Sequence, residues 1–149
     1  MTINKEKIKE ACEEALNEIE PDKKEKISAI YLYGSIAKER EREYSDIDIA
    51  ILTKGKTDKF FEEILSLKIE EKMQKRGVKK PVEARKINGK SISYQHQVLK
   101  HGELLLELDK NHRIKKETEI YKKYLDTKPI RRKYHKKRRK RILEGELFE

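Results

Sequence analysis

Residues 31–52, YLYGSIAKEREREYSDIDIAIL, contain the two features that decide how this chain folds. A short apolar segment ends at Gly34, and a second segment alternates carboxylate and isoleucine from Asp46 to Leu52. Alternation with a period of two is typical of a β-strand with two different faces, and residues i and i+2 of a strand point to the same side. The sequence therefore predicts two strands, with the carboxylates of Asp46 and Asp48 together on one face.

A helix is predicted from Ser35, directly after the glycine. The two carboxylates, the glycine and this helix start together suit the binding of a metal-bound polyphosphate. Two adjacent carboxylates repel each other unless a divalent cation lies between them. A small residue followed by free backbone amides at a helix start is a favourable place for phosphate. An Asp-x-Asp pair alone is common and usually solvated, so the interpretation depends on the combination. That combination predicts nucleotidyl transfer, in which two Mg²⁺ ions would align the attacking oxygen, the α-phosphate and the leaving pyrophosphate.

Gly34-Ser35, ten residues and then Asp46-Ile47-Asp48 resemble the GS-x10-D-x-D signature of the DNA polymerase β-like nucleotidyltransferase superfamily. The short length is similar to that of the minimal nucleotidyltransferase (MNT) branch, many of whose members are antitoxins of HEPN-domain toxins. The resemblance implies a Mg²⁺-dependent enzyme that transfers AMP from ATP to a tyrosine of its toxin and so silences the toxin's RNase activity. It implies catalytic and metal-binding roles for Asp46 and Asp48.

The resemblance also implies which residues contact the nucleotide. Gly34 and Ser35 are expected at the triphosphate. Lys38 could touch the phosphates as well, although in a chain with 28 lysines a single lysine is more commonly a solvated surface residue. The family often reads GSxARG, and here Glu39 replaces the final glycine, which changes the shape and charge expected of this loop.

The third carboxylate of the family is usually an aspartate on a later strand. The candidate here is Glu83 in PVEARKI (81–87), where alternation places Glu83, Arg85 and Ile87 on one face of a predicted strand. A glutamate can bind metal or accept the proton of the nucleophile. If Glu83 is instead an exposed strand residue, the domain would bind nucleotide without efficient transfer.

Apolar periodicity predicts the remaining elements of a small α/β (α+β) domain. It predicts helices over 4–20, 58–76, 91–101 and 112–125, and strands over 27–33, 46–52, 81–87 and 103–108. Thr57 is expected to cap the helix over 58–76, with Phe60, Phe61, Ile64, Leu65 and Met73 facing inward. With the resemblance, the prediction is a nucleotidyltransferase domain over 1–127, with its core at 27–108 and a mixed sheet flanked by helices.

The positive charge of the chain is concentrated near its C-terminal end. The net charge is +10, and residues 128–141 (KPIRRKYHKKRRKR) contain ten Lys or Arg and no acid. Asp126, Thr127 and Pro129 predict a stop and a restart, so the basic stretch is expected to form a second helix, as a C-terminal arm over 128–149. The arm is either a solvated helix or a docking surface for RNA or an acidic partner.

Composition limits the remaining classes of protein. The chain has 149 residues, of which 35% are apolar and 44% are charged, and Lys and Glu dominate, a bias that suits ion-pair networks at high temperature. A single cysteine, Cys12, excludes an internal disulfide framework and a Cys-rich zinc site. No apolar run reaches the roughly 18 residues of a membrane span, and the N-terminus lacks a signal-peptide pattern, so the expectation is a cytoplasmic protein.

Two classes of function remain open. The first is an enzyme, a protein adenylyltransferase that acts as the antitoxin of a HEPN toxin. The second is an inactive or weakly active nucleotide-binding module that neutralises a protein partner or binds RNA through the arm. Transfer to a small molecule is a third possibility, but such enzymes usually have a second domain for the acceptor.

Overall fold

A computed structural model describes residues 4–34 and 46–145 of the chain. The helices are α1 (Lys5–Glu18), α2 (Pro21–Lys24), α3 (Phe61–Lys75), α4 (Ile92–His101) and α5 (Lys110–Leu143). The strands are β1 (Ile27–Tyr33), β2 (Ile47–Thr53), β3 (Val82–Lys86) and β4 (Glu103–Glu107). The four predicted strands and the helices over 4–20 and 91–101 are confirmed to within two residues at each end.

The strands form one mixed sheet in the order β3-β2-β1-β4. Strand β1 is antiparallel to both β2 and β4, and β2 is parallel to β3. A parallel pair needs a long crossover connection, and α3 lies within the connection from β2 to β3. The architecture confirms the predicted α+β class with a mixed sheet and flanking helices.

The alternation of β2 separates two hydrophobic layers. Ile47, Ile49 and Ile51 pack with residues of α1 and α3 on one face of the sheet. Ala50 and Leu52 pack with residues of α4 and α5 on the other face. The second face is the one on which Asp48 lies, because side chains alternate along a strand.

Cys12 is fully buried in the layer that contains α1. Burial raises the pKa of its thiol to about 12, so the side chain stays neutral at physiological pH. The residue therefore packs as a small apolar group on the buried face of α1.

Helix α3 begins later than predicted, and this changes which residues face the core. The hydroxyl of Thr57 does not cap the helix but accepts a hydrogen bond from Lys86 Nζ at 2.6 Å. Phe60, predicted to face inward, is 59% exposed, and Ile64 is also exposed. Starting at Phe61, the helix buries residues four apart, a spacing that keeps them on one face: Phe61, Leu65, Ile69 and Met73.

Helix α5 continues without interruption from Lys110 to Leu143, so the predicted stop at Asp126, Thr127 and Pro129 is wrong. The division between a domain and an arm after residue 127 therefore falls inside one helix and stays a prediction. None of the helices in the described ranges combines the length and apolar character that crossing a bilayer requires.

Side-chain hydrogen bonds flank Pro129 in the continuous helix α5. A proline inside a helix removes one backbone N–H donor and crowds the carbonyl of the preceding turn. The Thr127 hydroxyl donates to the carbonyl of Lys123 at 2.8 Å, and Arg131 Nη2 donates to the carbonyl of Tyr124 at 2.7 Å. These bonds reach the carbonyls five and six residues before the proline, and not the carbonyl four residues before it, whose donor the proline removes.

The first half of α5 is fastened to the sheet. Ser28 on β1 shares a 2.5 Å hydrogen bond with Nδ1 of His112, and the hydroxyl of Tyr31 donates to Glu117 at 2.5 Å. Ile120 is the buried residue of α5 and joins the second hydrophobic layer. This half of the helix therefore covers the face of the sheet on which Asp48 lies.

Candidate active site

The predicted carboxylates lie at the start of β2, in the middle of the sheet. Asp46 directly precedes the strand and is exposed, whereas Asp48 is its second residue and is half-buried. Asp48 pairs in register with Tyr33 on β1 and with Glu83 on β3. Paired residues of adjacent strands project from the same face, so the fold places Asp48 beside Glu83. The alternation in the sequence predicts two strands with unlike faces, and the register between β2 and β3 brings Asp48 and Glu83 to the same face.

The electrostatic environment of Asp48 disfavours its charged form. Burial raises the pKa of the Asp48 carboxyl, and repulsion from Glu83 and from Asp46 raises it further. Arg85 acts in the opposite direction and lowers this pKa. The three carboxylates are therefore close enough to interact, and a cation among them would relieve their repulsion.

The carboxylate of Glu83 is held by Arg85, two residues along the same strand. Arg85 Nε donates to Glu83 Oε1 at 2.9 Å, and Nη2 donates to the same oxygen. The Arg85 side chain is exposed and that of Glu83 is partly exposed, and an ion pair accessible to water contributes little stability. Glu83 can bind another cation only if its hydrogen bonds to Arg85 break. Because the pair is accessible to water, breaking these bonds requires little free energy.

Gly34 leaves the space in which Asp48 lies. Its φ of 85° is in the left-handed region that favours glycine. A Cβ at this position would overlap Asp48 Oδ2 and lie 3.2 Å from Asp48 Cγ. A side chain here would therefore be strained by its backbone and would push the carboxylate aside.

The other nucleotide-binding residues predicted from the sequence, Ser35 and Lys38, lie outside the described residues, as do the helix predicted from Ser35 and Glu39. The structure thus describes Gly34, Asp46, Asp48 and Glu83 among the six predicted site residues.

The carboxylates fit a divalent cation in their chemistry. Mg²⁺ prefers oxygen ligands and is usually bound by one or two protein carboxylates plus substrate phosphates and water. Asp48 and Glu83 are paired in register, and the mutual repulsion that raises the pKa of Asp48 is the expected feature of such a donor set. Within the described residues, no three carboxylate, His or Cys side chains are already arranged around one point as a metal site would require.

Two residues of the site were not singled out from the sequence. Arg85 shares the face of Glu83, and alternation alone could have identified it as a neighbour of the carboxylates. Tyr94 comes from α4, and its ring contacts that of Tyr33 edge-on with the centroids 5.9 Å apart. Burial raises the pKa of the Tyr94 hydroxyl, and the charge of Arg85 lowers it. No local sequence signal could place Tyr94 here, because its position depends on how α4 packs against the sheet.

The chain matches the protein family described as polymerase beta, nucleotidyltransferase over residues 6–111, more than half of its length. The match includes Gly34, Asp46, Asp48 and Glu83. No curated protein matches this chain.

Solved structures of toxin–antitoxin complexes contain chains with a similar fold. A chain in the crystal structure of a toxin–antitoxin with AMP-PNP has 21% identity and a TM-score of 0.62, covering 89% of this chain and 99% of its own length. A chain in the toxin–antitoxin MntA-HepT has 20% identity and a TM-score of 0.56, with coverage of 86% and 97%. The tri-AMPylated Shewanella oneidensis HEPN toxin in complex with MNT antitoxin has a chain with 19% identity and a TM-score of 0.50, with coverage of 95% and 99%. At these identities the similarity establishes the fold.

Proposed function

This chain belongs to the polymerase β nucleotidyltransferase family, and from that premise we propose that it is a Mg²⁺-dependent protein adenylyltransferase. Its donor would be ATP, its acceptor a tyrosine of a HEPN-domain toxin, and its role that of the toxin's antitoxin in the cytoplasm. The observation that supports this best is the pairing of Asp48 with Glu83 across β2 and β3, beside a glycine that leaves room for the Asp48 carboxylate.

Asp46, Asp48 and Glu83 would hold the metal, with two ions as the expected number. Bound Mg²⁺ supplies positive charge that neutralises the phosphate oxygens and helps orient the attacking and leaving groups. Gly34, Ser35 and Lys38 would contact the triphosphate. In the reaction, the tyrosine oxygen forms a bond to the α-phosphorus, and the bond from that phosphorus to the oxygen of the pyrophosphate breaks. Glu83 would accept the phenolic proton.

The choice of acceptor is supported by the structures that share the fold. They are toxin–antitoxin complexes; one is described with AMP-PNP, and another with a tri-AMPylated HEPN toxin and an MNT antitoxin. A toxin tyrosine is the acceptor that the sequence resemblance implies.

A second candidate is a nucleotide-binding module that neutralises its partner with little or no transfer. The observation that favours it is the engagement of Glu83 by Arg85, together with the absence of a ready three-group metal site among the described residues. The two candidates differ in one measurable property, the appearance of AMP covalently bound to the partner.

The experiment is native co-purification of the chain with its partner, followed by incubation with Mg²⁺ and ATP labelled at the α-phosphate. We expect label on the partner and a mass increase of one AMP on a tyrosine-containing peptide. ATP labelled at the γ-phosphate is the matched control and should leave the partner unlabelled. Stable complex formation without α-label would overturn the adenylyltransferase proposal in favour of the binding module.

A further inference from the structure

The last part of α5 extends beyond the packed domain. We define the basic arm as residues 128–141. The buried residue of α5 is Ile120, and within the arm Ile130 is 70% exposed and Tyr134 is 61% exposed. The arm is helical throughout, so its side chains are displayed on a surface that the sheet does not cover.

Its cations lie on every side of the helix. Successive residues of an α-helix are about 100° apart around the axis, because one turn takes 3.6 residues. By this spacing Arg132, Lys136 and Arg139 lie on one side, and Lys137, Arg138 and Arg141 lie on the opposite side. A surface built to dock on a flat acidic protein would need cations on one side only.

The arm has a charge density close to that of a nucleic-acid duplex. Fourteen residues at a rise of 1.5 Å form a helix about 21 Å long, so its ten cations are spaced about 2 Å apart along the axis. Duplex DNA has one negative charge per roughly 1.7 Å of its axis.

Most of this charge has no ion-pair partner among residues 4–34 and 46–145, which the structure describes. Arg131 is the arm cation with a side-chain contact among the described residues: it bonds to Thr127 and lies 3.9 Å above the ring of Tyr124. The ion pairs of the described residues all join groups outside the arm. Arg131 therefore fixes the base of the arm while the cations beyond it stay available.

We propose that the basic arm binds duplex DNA, lying in the major groove and contacting phosphates on both sides without reading base sequence. An α-helix with its side chains is about 10–12 Å wide, and the major groove of B-DNA is about 12 Å wide. The major groove of an RNA duplex is deep and narrow and does not admit side chains in this way. The width and the cations on all sides together favour DNA over duplex RNA or an acidic protein.

The test compares full-length variants by fluorescence anisotropy. The probes are a DNA duplex of about 20 base pairs, or two helical turns, an RNA duplex of the same length and a single strand. One triple variant carries Arg132→Gln, Lys136→Gln and Arg139→Gln. A second carries Lys137→Gln, Arg138→Gln and Arg141→Gln. Glutamine keeps helix propensity close to that of lysine and arginine, so both variants should retain the circular dichroism of the wild type.

A third variant controls for net charge. It carries Lys7→Gln, Lys56→Gln and Lys79→Gln, three exposed positions outside the arm. We expect both arm variants to bind the DNA duplex at least about tenfold more weakly than this control at 0.1 M salt. The slope of log affinity against log salt should become shallower by about 2–3, because each lost phosphate contact removes about 0.9.

Three outcomes would overturn the proposal. An effect of only one triple variant would indicate a one-sided surface, as an acidic protein face requires. Tighter binding of the RNA duplex or the single strand than of the DNA duplex would assign the arm to RNA or to single strands. Equal losses of affinity in the arm variants and in the control would show that net charge alone accounts for the binding. The proposal is independent of nucleotidyl transfer, so an Asp48→Asn variant should bind the duplex as the wild type does.

Discussion

Asp48 is the residue at which stability and function oppose each other. Burial and two neighbouring carboxylates raise its pKa, so the folded chain binds a proton at this site more readily than the unfolded chain. The ionised side chain therefore destabilises the fold at pH values above its folded pKa. The destabilisation disappears as the pH falls below the ordinary aspartate value of 3.8, where both states are protonated.

We predict that Asp48→Asn stabilises the metal-free chain at neutral pH. Removal of one of three repelling charges should raise the melting temperature by roughly 1–3 °C for a chain of this length, as measured by circular dichroism. The gain should shrink as the pH falls through the raised pKa of Asp48 and be absent below 3.8. Added Mg²⁺ should raise the melting temperature of the wild type and leave that of the variant unchanged.

The control for this experiment is Asp58→Asn, which alters an exposed aspartate paired at 3.4 Å with Lys23. It should neither stabilise the metal-free chain nor abolish its response to Mg²⁺. A destabilised Asp48→Asn variant would show that the carboxylate makes a favourable contact that its raised pKa does not reveal.

A change at Glu83 should affect the rate of AMP transfer and the affinity for nucleotide to different extents. We predict that Glu83→Gln lowers the rate of AMP transfer by about 10²–10⁴, the usual contribution of a positioned proton acceptor. Nucleotide affinity should change much less, because this role concerns the attacking oxygen. Single-turnover transfer and equilibrium nucleotide binding measure the two effects separately. Glu63→Gln, an exposed glutamate on α3, is the matched control, and an unchanged rate in Glu83→Gln would make Glu83 a surface residue.

At the scale of elements, ion pairs connect α1 to α3. Lys72 is only 3% exposed and bonds to Glu18, and Arg76 bonds to Glu14. The hydrogen bond to Lys72 lowers the pKa of Glu18, and the same bond raises the pKa of Lys72. The high content of Lys and Glu thus has a structural use here, while adaptation of the chain to high temperature stays a prediction.

We predict that this connection is lost at both extremes of pH. A lowered carboxyl pKa stabilises the fold above the ordinary glutamate value of 4.5, and this is lost as the pH falls through the folded pKa. A raised lysine pKa stabilises it below 10.5, and this is lost as the pH rises through the folded pKa. Glu18→Gln should therefore melt below the wild type at pH 7 and level with it near pH 2. Glu20→Gln, at an exposed neighbouring position, should melt like the wild type at every pH. A difference in melting temperature between Glu18→Gln and the wild type that stays constant down to pH 2 would rule out the ion pair.

The effect of Pro129 on the stability of helix α5 can be tested by substitution. We predict that Pro129→Ala strengthens the helix at the base of the arm, since proline is about 3 kcal/mol less favourable than alanine in a helix interior. Amide hydrogen exchange should slow in residues after 128, and exchange in β1 and β2 should stay as it was. Faster exchange in the arm would mean that the proline stabilises its present conformation.

At the scale of the whole molecule, the sequence predicts the four strands of the sheet well. The alternation at 46–52 and 81–87 predicts two strands with unlike faces. Asp48 and Glu83 lie, as predicted, on the face opposite to the apolar residues that alternate with them. The register between those strands could not be predicted, because it depends on the length and packing of the α3 crossover. The same helix shows the limit of sequence patterns. Its start is predicted three residues too early, and Phe60 and Ile64 are therefore wrongly predicted to face the core.

The interior of α5 shows a second limit of sequence patterns. Pro129 is a valid stop signal on average, yet α5 continues through it, with Thr127 and Arg131 bonded to carbonyls of the preceding turns. Such contacts become visible only once side chains are placed in three dimensions. The position of Arg85 against Glu83 is similar, since the alternation puts both on one face but does not show that they bond.

The most direct test of the central claim is transfer of α-labelled AMP from ATP to the co-purified partner by the wild type and by Asp48→Asn. We expect transfer that depends on Mg²⁺ in the wild type and a loss of at least about a hundredfold in the variant, since metal charge stabilisation is worth several kcal/mol. The variant should still bind its partner. Transfer within a few-fold of the wild type in Asp48→Asn would contradict the assignment of this carboxylate to the reaction.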